Sequence, residues 1–336
     1  MERNAFFDNA KALLIFLVVF GHMIQPFTNE YAGINTLYLW IYTFHMPAFI
    51  LLSGFFTKGS GNAGYVWKLA KKLIVPYLIF QILYTIYYFY IGKPDWQTGM
   101  FHPHWSLWFL FSLFSWHILL IVFKKIPAFY SISLAVLIGV VVGYFGEIGH
   151  TFSLSRTFVF FPFFLIGYWV TEKQMMSIKR NAVKGVSLVV MTVLAIAIFY
   201  MPEFNSGWLL ASKSYGDLGM EQYGGIARLL VYVTAAIMVV SVLAWVPKRN
   251  FGWLTKLGTR TLYVYLLHGF IVQFLRQYDI LSVNNILDFI GIAGISAMIV
   301  ILLSSKPVLT VSQPLIEGKM SIIRNIFNNQ RSGTSS

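Results

Sequence analysis

Three of the seven histidines stand where a polar side chain needs a reason. His22, His45 and His268 each lie about ten residues inside a long apolar run. At 1.5 Å per residue that puts all three about 15 Å from a membrane face, near the midplane of a bilayer. Ionisable groups at that depth are costly and default to functional readings. An imidazole gives and takes protons near neutral pH, so it suits removing a proton from a hydroxyl while that oxygen attacks a carbonyl. The chain holds no Cys, which excludes thiolate catalysis, disulfides and Cys-ligated zinc. It also shows no clear GxSxG serine, so direct transfer fits better than a covalent enzyme intermediate. The blander reading is three separate histidines, each bonding a neighbouring helix.

Lys11 precedes His22 by eleven positions, or about 16 Å of helix and three turns. That spacing returns to the same face, so one stripe carries a cation at the membrane edge and an imidazole at mid-depth. Asp8 is placed to pair with Lys11. By pattern alone the pair reads as an ordinary interfacial helix start. His117 lies on a uniformly apolar stretch and reads as a packed histidine. His102, His104 and His150 fall in or beside polar connections. H-P-H before Trp105 is a weak metal signal, because ligands must be fixed in geometry, and no metal is expected.

The elements that must hold these groups are membrane helices. Of 336 residues, 57% are hydrophobic and only 11% charged, against roughly 25% charged in soluble domains. Ten segments are apolar and long enough to span: 10–28, 35–57, 73–91, 105–123, 128–146, 154–171, 184–201, 224–246, 258–276 and 285–305. The expected class is an all-α integral membrane bundle of about ten helices, with both ends inside. With the N-terminus inside, 20 of the 25 Lys and Arg residues fall on inner connections. Four (Lys93, Arg156, Lys213 and Arg276) fall outside, and Arg228 lies within the eighth span. That distribution follows the positive-inside rule. It also explains the net charge of +13 without nucleic acid, whose binding would need a patterned basic patch. The first apolar run leads into His22 and Met23 without a small-x-small site, so it is expected to be a retained helix. The chain from Lys306 reads as a polar cytoplasmic tail (306–336), partly disordered, after a membrane domain over 1–305. The outer connections GKPDWQTGMFHPH and PEFNSGWLLASKSYGDLGMEQYGG are rich in aromatic and polar residues. They suit interfacial anchoring or a carbohydrate-facing surface.

Six blocks, in order along nearly the whole chain, resemble the membrane-bound acyltransferase family 3, especially its branch related to fucose O-acetylases. FFDNAKALLIFLVVFGH is similar to the family's opening helix, in which a basic residue, ten intervening residues and a histidine recur; here these are Lys11 and His22. YTFHMPAFILLSGFF resembles the second-helix signature through His45, Met46, Pro47, Phe49, Ser53, Gly54 and Phe55. KLAKKLIVPYLIF matches a basic stretch followed by Pro-Tyr. HWSLWFLFSLF, FFPFFLIGYW and LGTRTLYVYLLHGF fit later blocks, the last carrying His268. The resemblance implies transfer of an acyl group, usually acetyl, from cytoplasmic acyl-CoA to a hydroxyl of a cell-envelope saccharide or glycolipid. It implies a bacterial cytoplasmic membrane, no permanently bound cofactor and a possible envelope-biosynthesis partner. His22 would be the base or positioning residue. His45, Ser53 and His268 would support the acyl path. Lys11, Lys68, Lys71 and Lys72 would meet the CoA phosphates, with Trp105 and Trp108 on the acceptor side. Lys11 stands where Arg is common, and Lys lacks the bidentate fork. Pro47 and Gly54 would open and pack the second helix.

Two other classes share the same topology and buried polar groups. A transporter or flippase for an envelope precursor would neither bind nor consume acyl-CoA, and the lack of an internal repeat tells mildly against transport. A non-catalytic scaffold would tolerate replacement of His22.

Overall fold

A computed structural model describes residues 4–58, 63–93, 99, 102–146, 153–201 and 204–318. The helices in chain order are α1 (Ala5–Ile24), α2 (Ala32–Tyr42), α3 (His45–Phe55), α4 (Ala63–Tyr90), α5 (Trp108–Phe123), α6 (Ala128–Val141), α7 (Leu154–Trp169), α8 (Glu172–Ser177), α9 (Asn181–Tyr200), α10 (Gly207–Leu210), α11 (Gly224–Trp245), α12 (Trp253–Leu257), α13 (Thr261–Gln277), α14 (Ile286–Leu303) and α15 (Lys306–Glu317). No strand occurs among the described residues, and the ten apolar segments all fall on helical structure.

Six of the described helical segments are long and apolar enough to cross a membrane: Ala5–Asn29, Ala32–Phe55, Tyr65–Tyr90, Asn181–Tyr200, Gly224–Trp245 and Ile286–Leu303. Shorter apolar helices cover Trp108–Phe123, Ala128–Tyr144 and Leu154–Trp169. Only 6% of the most apolar stretch of α9 is covered by the rest of the protein. Val186, Leu188, Val189 and Val193 stand open on it. Water would not tolerate such a face, whereas lipid does, and the chain is a multi-pass membrane protein.

The second apolar segment, expected as one helix over 35–57 kinked by Pro47, is two helices. The break falls at Thr43–Phe44, where Phe44 has φ −132° and ψ −26°. The cause is local. Pro47 has no N–H, and its ring crowds the carbonyl four residues earlier, that of Thr43. The carbonyl of Ile41 is satisfied at the break by Phe44 N (3.2 Å) and by the His45 imidazole Nδ1 (3.0 Å). α3 then packs closely on α7 through two glycines. A Cβ on Gly54 would lie 2.0 Å from the Phe164 carbonyl oxygen, and one on Gly167 would lie 1.9 Å from that of Leu51. Backbones approach this closely only where side chains are absent.

Around the start of α1, polar side chains tie the chain ends of several helices together. Asn4 caps α1. Asn9 Nδ2 donates to Pro247 O and Arg249 O (2.9 Å each), and Thr255 Oγ1 donates to Asn9 Oδ1 (2.7 Å). Lys179 Nζ donates to the carbonyls of Leu243, Ala244 and Val246, a cation on the negative end of α11. Arg228, the basic residue inside an apolar run, is buried and donates through Nη1 to Trp208 O (2.7 Å). The connection before α11 folds inward on that contact, with Trp208, Tyr215 and Leu218 forming a small core. Its aromatic residues therefore pack within the protein as well as at its edge.

The segment from Lys306 begins with a helix. α15 buries Leu309, Ser312, Gln313 and Ile316, and packs on α4, α13 and α14. The rest of the expected tail, from 319, and His150 lie outside the described residues.

Candidate functional site

The eleven-residue spacing on α1 does what helical geometry requires. Lys11, Ile15, Val18 and His22 all line one cavity of about 440 Å³, at steps of four, three and four residues. α3 contributes Met46, Phe49, Leu52 and Ser53; α4 contributes Tyr65, Leu69, Lys72 and Leu73. α5 contributes Trp108, Phe109, Leu113 and His117, and α13 adds Thr261, Leu262 and Tyr265. One end carries Lys11, Lys72 and the exposed Phe56. The other end is His22, about 16 Å further along α1. The result is an apolar passage from a cationic mouth to an imidazole.

At the inner end the expected histidines do not all arrive. His22 and His268 have ring centroids 5.7 Å apart, with planes inclined by 21°. Trp105 covers both, at 4.3 Å from His22 and 5.2 Å from His268. His45 is buried behind Tyr42, whose ring is 4.5 Å away, and does not line the cavity. Its place is the helix break. Ser53 lines the cavity but gives its hydroxyl to Phe49 O (2.9 Å).

The hydrogen bonds of the two imidazoles differ. His22 Nδ1 meets Tyr42 Oη at 3.3 Å, and its Nε2 has no partner among the described residues. His268 Nδ1 donates to Val264 O (2.9 Å), while its Nε2 is buried with no hydrogen-bond partner. His268 is thereby fixed as a tautomer with its basic nitrogen at Nε2.

Trp105 stands in the left-handed region at φ 34°, which bulky residues rarely adopt unless their surroundings impose it. The surroundings do. Gln81 Oε1 accepts from His104 N (3.0 Å) and Gln81 Nε2 donates to His102 O (2.9 Å). Thr85 Oγ1 and His104 Nε2 lie 2.8 Å apart, and Tyr265 Oη donates to Ser106 O. Gly269 leaves room for the indole, since a Cβ there would lie 2.9 Å from it. The H-P-H segment is therefore the buttress of Trp105. Burial, and then the Lys93 charge, hold the His104 imidazole down to about 4, which keeps it neutral for that contact.

The four lysines divide. Lys11 pairs with Asp8 (2.8 Å) and lines the cavity, as does the exposed Lys72. Lys68 and Lys71 are exposed on α4 and do not line it; Lys71 lies over the Trp67 ring at 5.0 Å. Trp108 lines the cavity with Arg156 5.1 Å from its ring centre. Sequence reasoning missed Tyr42, Tyr65 and Arg276. It set aside His117, which bonds its own helix at Leu113 O (2.7 Å) and also lines the cavity. Arg276 Nη2 donates to the main-chain oxygen of His22 and to Gln25 Oε1 (2.9 Å).

A half-buried imidazole thus stands at one end of an apolar passage whose lining includes two lysines. Residues 4–305 match the acyltransferase domain model of acyltransferase family 3, and the chain belongs to that family. It is similar to nodulation protein NolL of Mesorhizobium japonicum, 23% identical over 333 residues, covering 89% of this chain and 85% of that protein. It is also similar to nodulation protein NolL of Sinorhizobium fredii, 29% identical over 133 residues, covering 34% of this chain and 35% of that protein. No solved structure matches it. The protein is an acyltransferase.

Proposed function

We propose that the protein moves an acyl group, most simply acetyl, from cytoplasmic acyl-CoA to a hydroxyl of a saccharide or glycolipid in a bacterial cell envelope. The observation that carries this reading is the passage joining Lys11 and Lys72 to His22. Phosphates seek fixed cations, so the CoA head would sit at the lysines and its thioester arm would run along the apolar walls. Acyl-CoA is a co-substrate here, not a resident cofactor. In this reading the neutral His22 carries its proton on Nδ1, directed at the Tyr42 oxygen, which leaves Nε2 as the free base. It takes the proton of the acceptor hydroxyl as that oxygen bonds to the thioester carbonyl carbon. The C–S bond then breaks, and the CoA thiolate leaves with the proton returned from His22. His268, behind Trp105, would help set the position of the His22 ring.

The same reading takes ten membrane crossings: the six long segments, the three shorter apolar helices, and α13. Both ends are placed in the cytoplasm, with the membrane domain over 1–305 and the segment 306–336 on the inner face. The basic residues on inner connections support that orientation.

The test is acyl-CoA turnover in liposomes with radiolabelled acetyl-CoA and a crude glycan extract, wild type beside His22→Ala. Label reaching glycan only with wild type supports the reading. A folded protein that neither binds nor consumes acetyl-CoA or other acyl-CoAs rejects it in favour of transport.

A further inference from the structure

A separate cavity of about 380 Å³ lies on the other side of α1. Ala12, Leu13 and Phe16 line it, with Ala297 and Ile301 of α14 facing them. At 3.6 residues per turn these α1 positions point about 140° away from the Lys11–His22 stripe. The walls are apolar, and the amide of Asn9 among them is already used. It donates to Pro247 O and Arg249 O and accepts from Thr255 Oγ1. Leu13 and Ile301 are exposed, so the cavity opens sideways to lipid. Its rim, at Pro247, Phe251 and Trp253, has another character. Trp253 is 63% exposed, as an interfacial indole is. Lys248 and Arg249 follow Pro247 in the chain, and Lys256 lies between the lining residues Leu254 and Leu257; all three are exposed. None of the three has an ion-pair partner among the described residues. Asp8 is taken by Lys11, and Glu172 accepts from Asn4 Nδ2 (3.0 Å). The uncompensated charge is felt nearby: burial, and then the charges of Lys184 and Lys248, push the Lys179 ammonium down to about 8.

We propose that this cavity is a binding site for one anionic phospholipid, with an acyl chain between α1 and α14 and the phosphate at Lys248 and Arg249. The two ends set the occupant. The walls belong to two helices long and apolar enough to cross a membrane, so whatever fills the slot must enter from the bilayer and be apolar along its length. The rim carries free cations, and phosphates seek fixed cations. An anionic phospholipid joins both properties in one molecule. A zwitterionic lipid offers the same chain, but its own ammonium offsets the phosphate, so it gains less from the rim. A basic pocket beside a membrane helix gains roughly a kcal/mol per Lys or Arg from an anionic leaflet, or about fivefold in affinity for each. A second protein would need a broad face to bury a stable interface, whereas this is a slot. The site shares no lining residue with the cavity at His22, so the inference stands apart from the acyl-transfer reading.

The test is native mass spectrometry of the full chain in detergent, titrated with dioleoyl phosphatidylglycerol or dioleoyl phosphatidylcholine. Wild type is expected to retain one phosphatidylglycerol at least roughly tenfold more tightly than phosphatidylcholine. Lys248→Gln with Arg249→Gln removes the rim charge and should weaken that binding about tenfold or more. Ala297→Phe fills the half-exposed slot with every cation in place and should weaken it as far. Lys125→Gln with Lys173→Gln removes the same charge from exposed positions that do not line the slot and should leave it within about twofold. Three results would each overturn the site: no preference for phosphatidylglycerol, equal losses in the two double variants, or full binding by Ala297→Phe. A second measurement needs no change in the slot walls of α1 and α14. In phosphatidylcholine liposomes holding a small fraction of chain-brominated phosphatidylglycerol, wild type should be quenched more than Trp253→Phe, and unbrominated phosphatidylglycerol should abolish the difference. Equal quenching of the two proteins would reject the site even if Ala297→Phe failed to fold.

Discussion

Arg276 Nη2 donates to the main-chain carbonyl of His22, 254 positions earlier in the chain. The same nitrogen reaches Gln25 Oε1 at 2.9 Å, and the guanidinium lies 5.8 Å from the Trp105 ring centre. One side chain of α13 thus fixes the end of α1 that carries the imidazole. Lysine keeps the charge but not the planar fork. Arg276→Lys is expected to lower kcat by about ten- to a hundredfold, the worth of a lost charged hydrogen bond, and to leave the KM for the acyl donor unchanged. A parallel rise in donor KM would place Arg276 in donor binding instead.

His22→Ala is expected to remove roughly 10²- to 10⁴-fold of the transfer rate, the usual contribution of a positioned base. Thermal stability in detergent should change little, because His22 makes one long side-chain hydrogen bond, at 3.3 Å. Label transfer under single-turnover conditions checks this. His22→Gln retaining full activity would remove proton transfer at this position from the mechanism.

Much of this arrangement is visible in the residues, and the reason it stops is physical. The Lys11–His22 stripe follows from helical periodicity, while the kink expected of Pro47 is a full break before His45. The meeting of His22 with His268 and Trp105 does not follow from periodicity, because it depends on how α1, α13 and the turn before α5 pack. His117 is hidden for another reason. α5 is apolar all round, so periodicity marks no inward face on it. The three lysines of α4 look equivalent in sequence, yet α4 turns only Lys72 toward the cavity. In α15 the polar composition concealed an amphipathic helix that buries Leu309 and Ile316.

That division among the lysines is testable. Lys72→Glu is expected to raise the acyl-CoA KM about tenfold or more, since it puts a carboxylate where a phosphate would sit. Lys68→Glu and Lys71→Glu should shift it less than about twofold, because neither side chain lines the cavity and charges at a distance through water are screened. The ratio for Lys72 should shrink as salt rises from low to physiological strength. Equal effects at all three positions would mean that the cluster acts only through its summed field.

The glycine pair between α3 and α7 sets the wall of the passage. Ser53 and Leu52 line the cavity one and two residues before Gly54. A methyl at Gly54 would lie 2.0 Å from a main-chain oxygen that cannot rotate away, and one at Gly167 would lie 1.9 Å from another. The two helices must therefore part. Gly54→Ala and Gly167→Ala are each expected to cost about 1–3 kcal/mol, the usual range for overpacking, read as a lower unfolding midpoint in detergent. Gly185→Ala is the control: nothing lies within 4 Å of a Cβ there, on the lipid-facing α9. It should leave the midpoint unchanged or raise it, because Ala is the better helix former. Since the displaced wall carries Ser53, activity in the two destabilised variants should fall further than the folded fraction does. A loss that only matched the folded fraction would show that the α3–α7 contact supports the fold without shaping the passage.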